Sequence, residues 1–178
     1  MIFKLLDVTK ETARIWSDTI LKNLPDCPNY TGIEPPDRYY IGFLGEITFR
    51  DALWYHGKRW HYQARLDGRP DQTDLTVWMR GVRKQLNVKT ASKEFHRHLM
   101  VPDAQFRRYT QDYYVAARLI DNHGAVVFEG WLKHADLERR QPQMVDVMTR
   151  CCPFTELRPM VFLMMMIDRE SVDRNAHD

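Results

Sequence analysis

The chain has 178 residues, of which 44% are apolar and 12% aromatic, enough for one domain with a substantial core. Charged residues make up 28%, which excludes wholesale disorder, and the formal net charge is only +2. No apolar run reaches the ~18 residues of a membrane span.

The N-terminal Met1-Ile-Phe-Lys4 lacks both a basic region ahead of its apolar residues and a small-residue cleavage site, so no secretory signal is expected. Thr9 precedes a helical stretch, Lys10 to Asn23, with Ala13, Trp16 and Ile20 at helical spacing. Residues 25–37 hold four prolines and read as a loop. Asp37 is the N-cap candidate of a second helix running to about Tyr55, with Ile41, Leu44, Ile47, Ala52 and Trp54 supplying its apolar face. Gly42 and Gly45 in that helix imply close packing against a neighbour.

From Trp60 the period changes to two, giving a short strand to Arg65. Leu75 to Met79 and Gln85 to Ala91 form a hairpin about Arg80-Gly81. Leu99 to Val101 is a further strand, and Pro102 to Tyr109 a short helix. Tyr113 to Ile120 and Ala125 to Leu132 are strands joined by a turn, and Ala135 to Arg140 is a helical turn. The segment after Pro142 has no clear pattern, and Met160 to Ile167 fits a helix or a strand. The order predicts an α/β (α+β) domain with a mixed central sheet.

Charge is unevenly spread. Residues 80–110 carry eight basic and two acidic side chains, net +6, while the segments on either side are slightly acidic. Such a stretch is either a solvated face or a phosphate-binding surface. Cys27, Cys151 and Cys152 are an odd count with two adjacent, which is no disulfide framework and fits a reducing cytoplasm. With no Cys-x-x-Cys or His-Glu-x-x-His, His96-x-His98 gives only a weak case for zinc.

The hairpin gathers polar groups. A loop at Arg80-Gly81 puts Asp74 across from Asn87. Asn87 and Lys89 share one strand face, and Leu86, Val88 and Thr90 take the other. Glu46 lies in the most apolar helix, either on a wet stripe or as a buried acid with a partner.

Gly42-Phe-Leu-Gly-Glu46, Asp74-Leu-Thr-Val77, Leu86-Asn-Val-Lys-Thr90, Asp112-Tyr-Tyr-Val115 and Gly130-Trp131, in this order, resemble the PD-(D/E)XK nuclease superfamily, most closely its small phage and bacterial members. The resemblance implies a restriction-endonuclease-like core over about residues 37–140. The helix 10–23 and the extension 141–178 would then pack on it as parts of a single domain, 1–178. It implies Mg²⁺ (or Mn²⁺) held by Glu46, Asp74, Asn87 and the Val88 carbonyl, with Lys89 acting on the attacking water. Asp71, in a literal Pro-Asp pair, is the alternative to Asp74. Asn87 stands where the family has Asp or Glu, through either a native Asn or an Asp→Asn change. Gln105-x-x-x-Tyr109 matches a motif of some nuclease branches.

DNA is the implied partner, with Arg80, Arg83, Lys84, Lys93, Gln105, Arg107 and Arg108 as candidate contacts. The implied location is the cytoplasm of a bacterium or phage-infected host, with no membrane partner. The Met164-Met165-Met166 run is either core or a homodimer contact. The expected function is a metal-dependent DNA endonuclease or exonuclease. Two alternatives are an inactive relative that binds DNA or a protein, and a phage accessory or inhibitor protein.

Overall fold

The computed structural model describes residues 1–23, 35–62 and 74–170. A short strand β1 (Ile2–Lys4) leads into helices α1 (Asp7–Asn23) and α2 (Pro35–Tyr55). The meander β2 (Trp60–Tyr62), β3 (Leu75–Met79) and β4 (Val82–Ala91) follows. Strand β5 (His98–Pro102) and helix α3 (Asp103–Arg108) link it to β6 (Tyr113–Ile120) and β7 (Ala125–Lys133). Helix α4 (His134–Glu138), strands β8 (Gln143–Met144) and β9 (Met148–Pro153), a 3₁₀ turn (Phe154–Glu156) and helix α5 (Met160–Met166) complete the chain.

The central sheet has six strands in the order β1-β7-β6-β4-β3-β2, and β5-β9-β8 form a second sheet. Every central pairing is antiparallel except β4–β6, which is parallel. A parallel pair needs a crossover rather than a hairpin. Here β5 and α3 supply it, and so α3 comes to lie over the sheet beside β4.

The β3–β4 register is the one the sequence implies: Leu75 pairs with Leu86 and Met79 with Val82. Arg80 and Gly81 take φ of 52° and 76°. Two positive φ values make the primed turn whose twist matches that of the strands. The Asp168 carboxylate accepts from both turn amides at 2.7 Å.

Alternation along the strands divides the core in two. Leu86, Val88, Val115 and Phe128 join Leu44, Ile47 and Phe49 of α2 in the larger cluster. Tyr114, Ala116 and Leu132 join Phe106 of α3, Leu99, Val101 and Cys152 in the smaller. Asn87 and Lys89, between Leu86, Val88 and Thr90, therefore belong to the face that α3 covers.

Several expectations are corrected. Helix α1 starts at Asp7, with Thr9 buried inside it, and Asp37 lies in the first turn of α2 rather than at its N-cap. Trp54 is 71% exposed: Ala52 and Leu53 beside it are fully buried, and Trp54 points to the solvent side of α2. The patternless segment after Pro142 forms β8, exposed at both residues, and β9, which pairs with both β8 and β5. Met160–Met166 is a helix that buries Met164 and leaves Met165 exposed. The proline-rich loop up to Glu34, Cys27, residues 63–65 of the first expected strand, and Asp71 lie outside the described residues.

Gly45 fixes how closely α2 approaches β4. A Cβ there would lie 2.0 Å from Thr90 Oγ1, whereas one at Gly42 would meet only Glu46 Oε1, at 3.9 Å. Gly45→Ala is expected to cost about 1–3 kcal/mol through overpacking, despite alanine's better helix propensity. Gly42→Ala should be neutral or gain up to ~1 kcal/mol. Urea midpoints of the two variants should move in opposite directions, or only that of Gly45→Ala should fall.

Candidate metal and phosphodiester site

The site forms at the Leu75 end of the β3–β4 ladder. The β3–β4 ladder begins at Leu75↔Leu86, and Asp74 N–H still donates to the Leu86 carbonyl at 3.2 Å. Among the described residues, β4 from Asn87 onward pairs only with β6. The Val88 N–H points to the β3 side of β4, where Asp74 Oδ2 accepts it at 2.6 Å. Asp74 Oδ1 accepts from Asn87 Nδ2 at 3.0 Å. The Val88 carbonyl projects to the same edge as its N–H.

Asp74 is 7% exposed and Asn87 3%. Burial pushes the Asp74 carboxyl up to about 6, against the pull of the Lys89 ammonium and the Val88 N–H. A carboxylate only accepts, so Asn87 must turn its NH₂ toward it. That leaves Asn87 Oδ1 buried without a hydrogen-bond partner.

Lys89, two residues along the same face, is half-buried. Burial lowers its pKa, and Asp74 and then Glu46 oppose the shift. Its Nζ donates to Gln105 Oε1 at 3.0 Å. Helix α3 has only six residues and would not hold Gln105 unaided. Two anchors fix it. Asp103 accepts from Arg107 at 2.6 Å and from buried Arg150 at 2.7 Å. The Phe106 ring stacks on His134 at 4.1 Å, with the Arg150 guanidinium 4.5 Å from its centroid.

Glu46 arrives from α2 on the other face of the sheet and accepts from Tyr62 Oη at 3.2 Å. Its charge is felt by both Lys89 and Tyr62, and the Tyr62 hydroxyl is pushed well above the tyrosine range by burial, then Glu46, then Asp74. Glu46, Asp74, Asn87 and Lys89 thus gather around the end of β3. Two further members, Tyr62 and Gln105, hold groups of the site. The alternating pattern marked Tyr62 only as a strand residue.

The candidate DNA contacts are more scattered. Arg80 and Arg83 sit at the turn end of the hairpin, with Arg80 roughly 20 Å along β3 from Asp74 at strand rise. Lys84 Nζ is held by Asp112 at 2.8 Å, and Arg107 by Asp103. Arg108 lies over Tyr109, 5.2 Å from the ring centroid. Lys93 is exposed and lines a separate cavity of ≈ 210 Å³ with Arg14, Tyr40, Ser92 and His123. Of the seven, Gln105 alone makes a hydrogen bond within the cluster.

Among the described residues no three His, Cys, Asp or Glu side chains converge as a metal cage. The donors at the site are two carboxylates, an amide oxygen and a backbone carbonyl. Mg²⁺ commonly uses one or two carboxylates and retains waters. The orphaned Asn87 Oδ1 is an acceptor that a hard cation would satisfy, so the residues present fit such an ion.

The raised Asp74 pKa predicts a pH effect. A carboxyl with a higher pKa folded than unfolded binds its proton more tightly in the fold, so its ionisation costs stability as pH rises from about 4 to about 6. Asp74→Asn abolishes this. Its stability relative to the parent should improve by about 1–3 kcal/mol between pH 4 and pH 7, read from urea unfolding at both values. A difference independent of pH would mean that Asp74 titrates normally.

Comparison with protein-family models, curated proteins and solved structures finds no match, so the functional reading rests on the geometry of the site and the sequence resemblance.

Proposed function

We propose that the protein is a Mg²⁺- or Mn²⁺-dependent DNA nuclease built on a restriction-endonuclease-like core. The observation that carries this reading is the cluster at the end of β3. It joins a buried acid with its pKa raised to about 6, a lysine shifted downward and a second acid contributed by the preceding helix. Opposed shifts of this kind are characteristic of reactive sites. The element order supports it as well: helix, antiparallel meander, crossover helix, then a strand parallel to β4.

In this reading Glu46 and Asp74 hold the cation, with Asn87 Oδ1 and the Val88 carbonyl completing the protein's share. A cation held there would supply polarisation of the phosphoryl oxygen and a more acidic attacking water. Lys89, steadied by Gln105, supplies positive charge where the phosphoryl group gains negative charge. Burial by α2 and α3 lowers the local dielectric and strengthens these interactions.

A second reading is a nuclease-fold protein that binds DNA or a protein partner without cutting. Asn87 favours it. Its NH₂ already occupies Asp74 Oδ1, and as an amide it brings no charge to the site.

Asn87→Asp separates the two. It sets an acceptor against Asp74, so the two carboxylates repel unless a cation or proton lies between them. The variant should cleave plasmid or linear DNA with Mg²⁺ or Mn²⁺ at least ~100-fold faster than the parent. Lys89→Ala in that background should abolish cutting and retain most DNA affinity, since affinity is spread over many phosphate contacts. Salt-dependent DNA binding without cleavage by Asn87→Asp would favour the DNA-binding reading, and neither activity would remove the nuclease and DNA-binding readings and leave the protein-partner one.

A further inference from the structure

We propose that Tyr62 is the positioning residue for Glu46, and that α1 belongs to the site because its Trp16 holds Tyr62. The inference rests on the proposed metal-dependent reading.

Glu46 is half-buried on α2 and reaches the site on a long, flexible side chain. A Cβ at Gly42, one turn earlier, would lie only 3.9 Å from its Oε1, so the carboxylate lies back along the helix. A ligand of this kind is useful only if it is oriented before the ion arrives. The Tyr62 hydroxyl donates to Oε2 at 3.2 Å. A hydroxyl supplies one proton, so this contact orients the carboxylate through a single lone pair of Oε2.

Tyr62 is itself fixed. It pairs with Leu75 in the ladder, next to Asp74, so one residue references both acids. Its ring stacks on Trp16 with centroids 5.7 Å apart and planes at 18°. Trp16 meets Phe43 of α2 edge-on at 5.4 Å, and the Arg50 guanidinium lies 5.9 Å from the Tyr62 centroid. Trp16, Tyr62 and Phe43 bring α1, β2 and α2 together beside Glu46. The N-terminal helix thereby acts as part of the metal-binding apparatus as well as cover for the core.

The test is direct Mn²⁺ binding to the full chain without DNA, followed by the electron paramagnetic resonance signal of the free ion. Melting temperature without metal reports on the fold. Tyr62→Phe retains the ring and removes the hydroxyl. It should weaken Mn²⁺ binding roughly tenfold, the lower end for loss of an outer-shell partner. Trp16→Leu, which keeps the hydroxyl and removes the stack, serves as the second variant and should weaken binding at least ~3-fold on the same grounds.

Parent-like affinity, within twofold, in whichever of these variants folds overturns the proposal while leaving the metal reading intact. Absence of Mn²⁺ binding by the parent chain overturns the metal reading, and this proposal with it.

Discussion

One hydrogen bond, from the Val88 amide to the Asp74 carboxylate, ties the β4 backbone to the site just beyond the Leu75↔Leu86 pair. Loss of that acceptor would cost about 1–3 kcal/mol. With the bond in place, an acid sits where little water reaches it, and its second oxygen meets Asn87. The backbone need and the chemical opportunity are therefore the same interaction. The β3–β4 register keeps that carboxylate in place.

The hairpin and its consequences were legible because they depend on local rules. Arg80-Gly81 is a turn dipeptide, and once it is placed, pairing puts Asp74 beside Asn87 and Lys89 on the same face as Asn87. Glu46 stood out as an acid amid apolar neighbours. The partners of these groups were not legible in the same way. Tyr62 reaches Glu46 across the connection between α2 and β2, which no local rule specifies, and Gln105 reaches Lys89 only because the parallel β4–β6 pairing drives the crossover over that face. Strands β8 and β9 escaped detection for a related reason. β9 takes its place from β5, some fifty residues away, β8 is an exposed two-residue strand added to β9, and neither sequence carries an alternation of its own.

The basic stretch between residues 80 and 110 illustrates the limits of counting charges. Lys84 neutralises Asp112, which also accepts the Gln85 amide, so that pair organises the start of β6 against β4. Arg107 helps to anchor α3 through Asp103. Lys89 is turned inward. Much of the net +6 is thus engaged in structure, while Arg83 and Lys93 remain exposed at separate places on the surface. A surface that follows a phosphate backbone would have to draw on these separated cations and on the site itself.

The outermost pairing of the central sheet, Ile2 with Val127, joins the two strands farthest apart in sequence within it. During synthesis on a ribosome, β1 and the helices behind it emerge long before β7 exists. The meander can form early, from neighbouring residues, but its open edge beside β4 waits for β6. Until then the face of β4 that carries Asn87 and Lys89 has no α3 to cover it. The perturbed chemistry of the site is acquired late, when the crossover closes and α3 covers the strand.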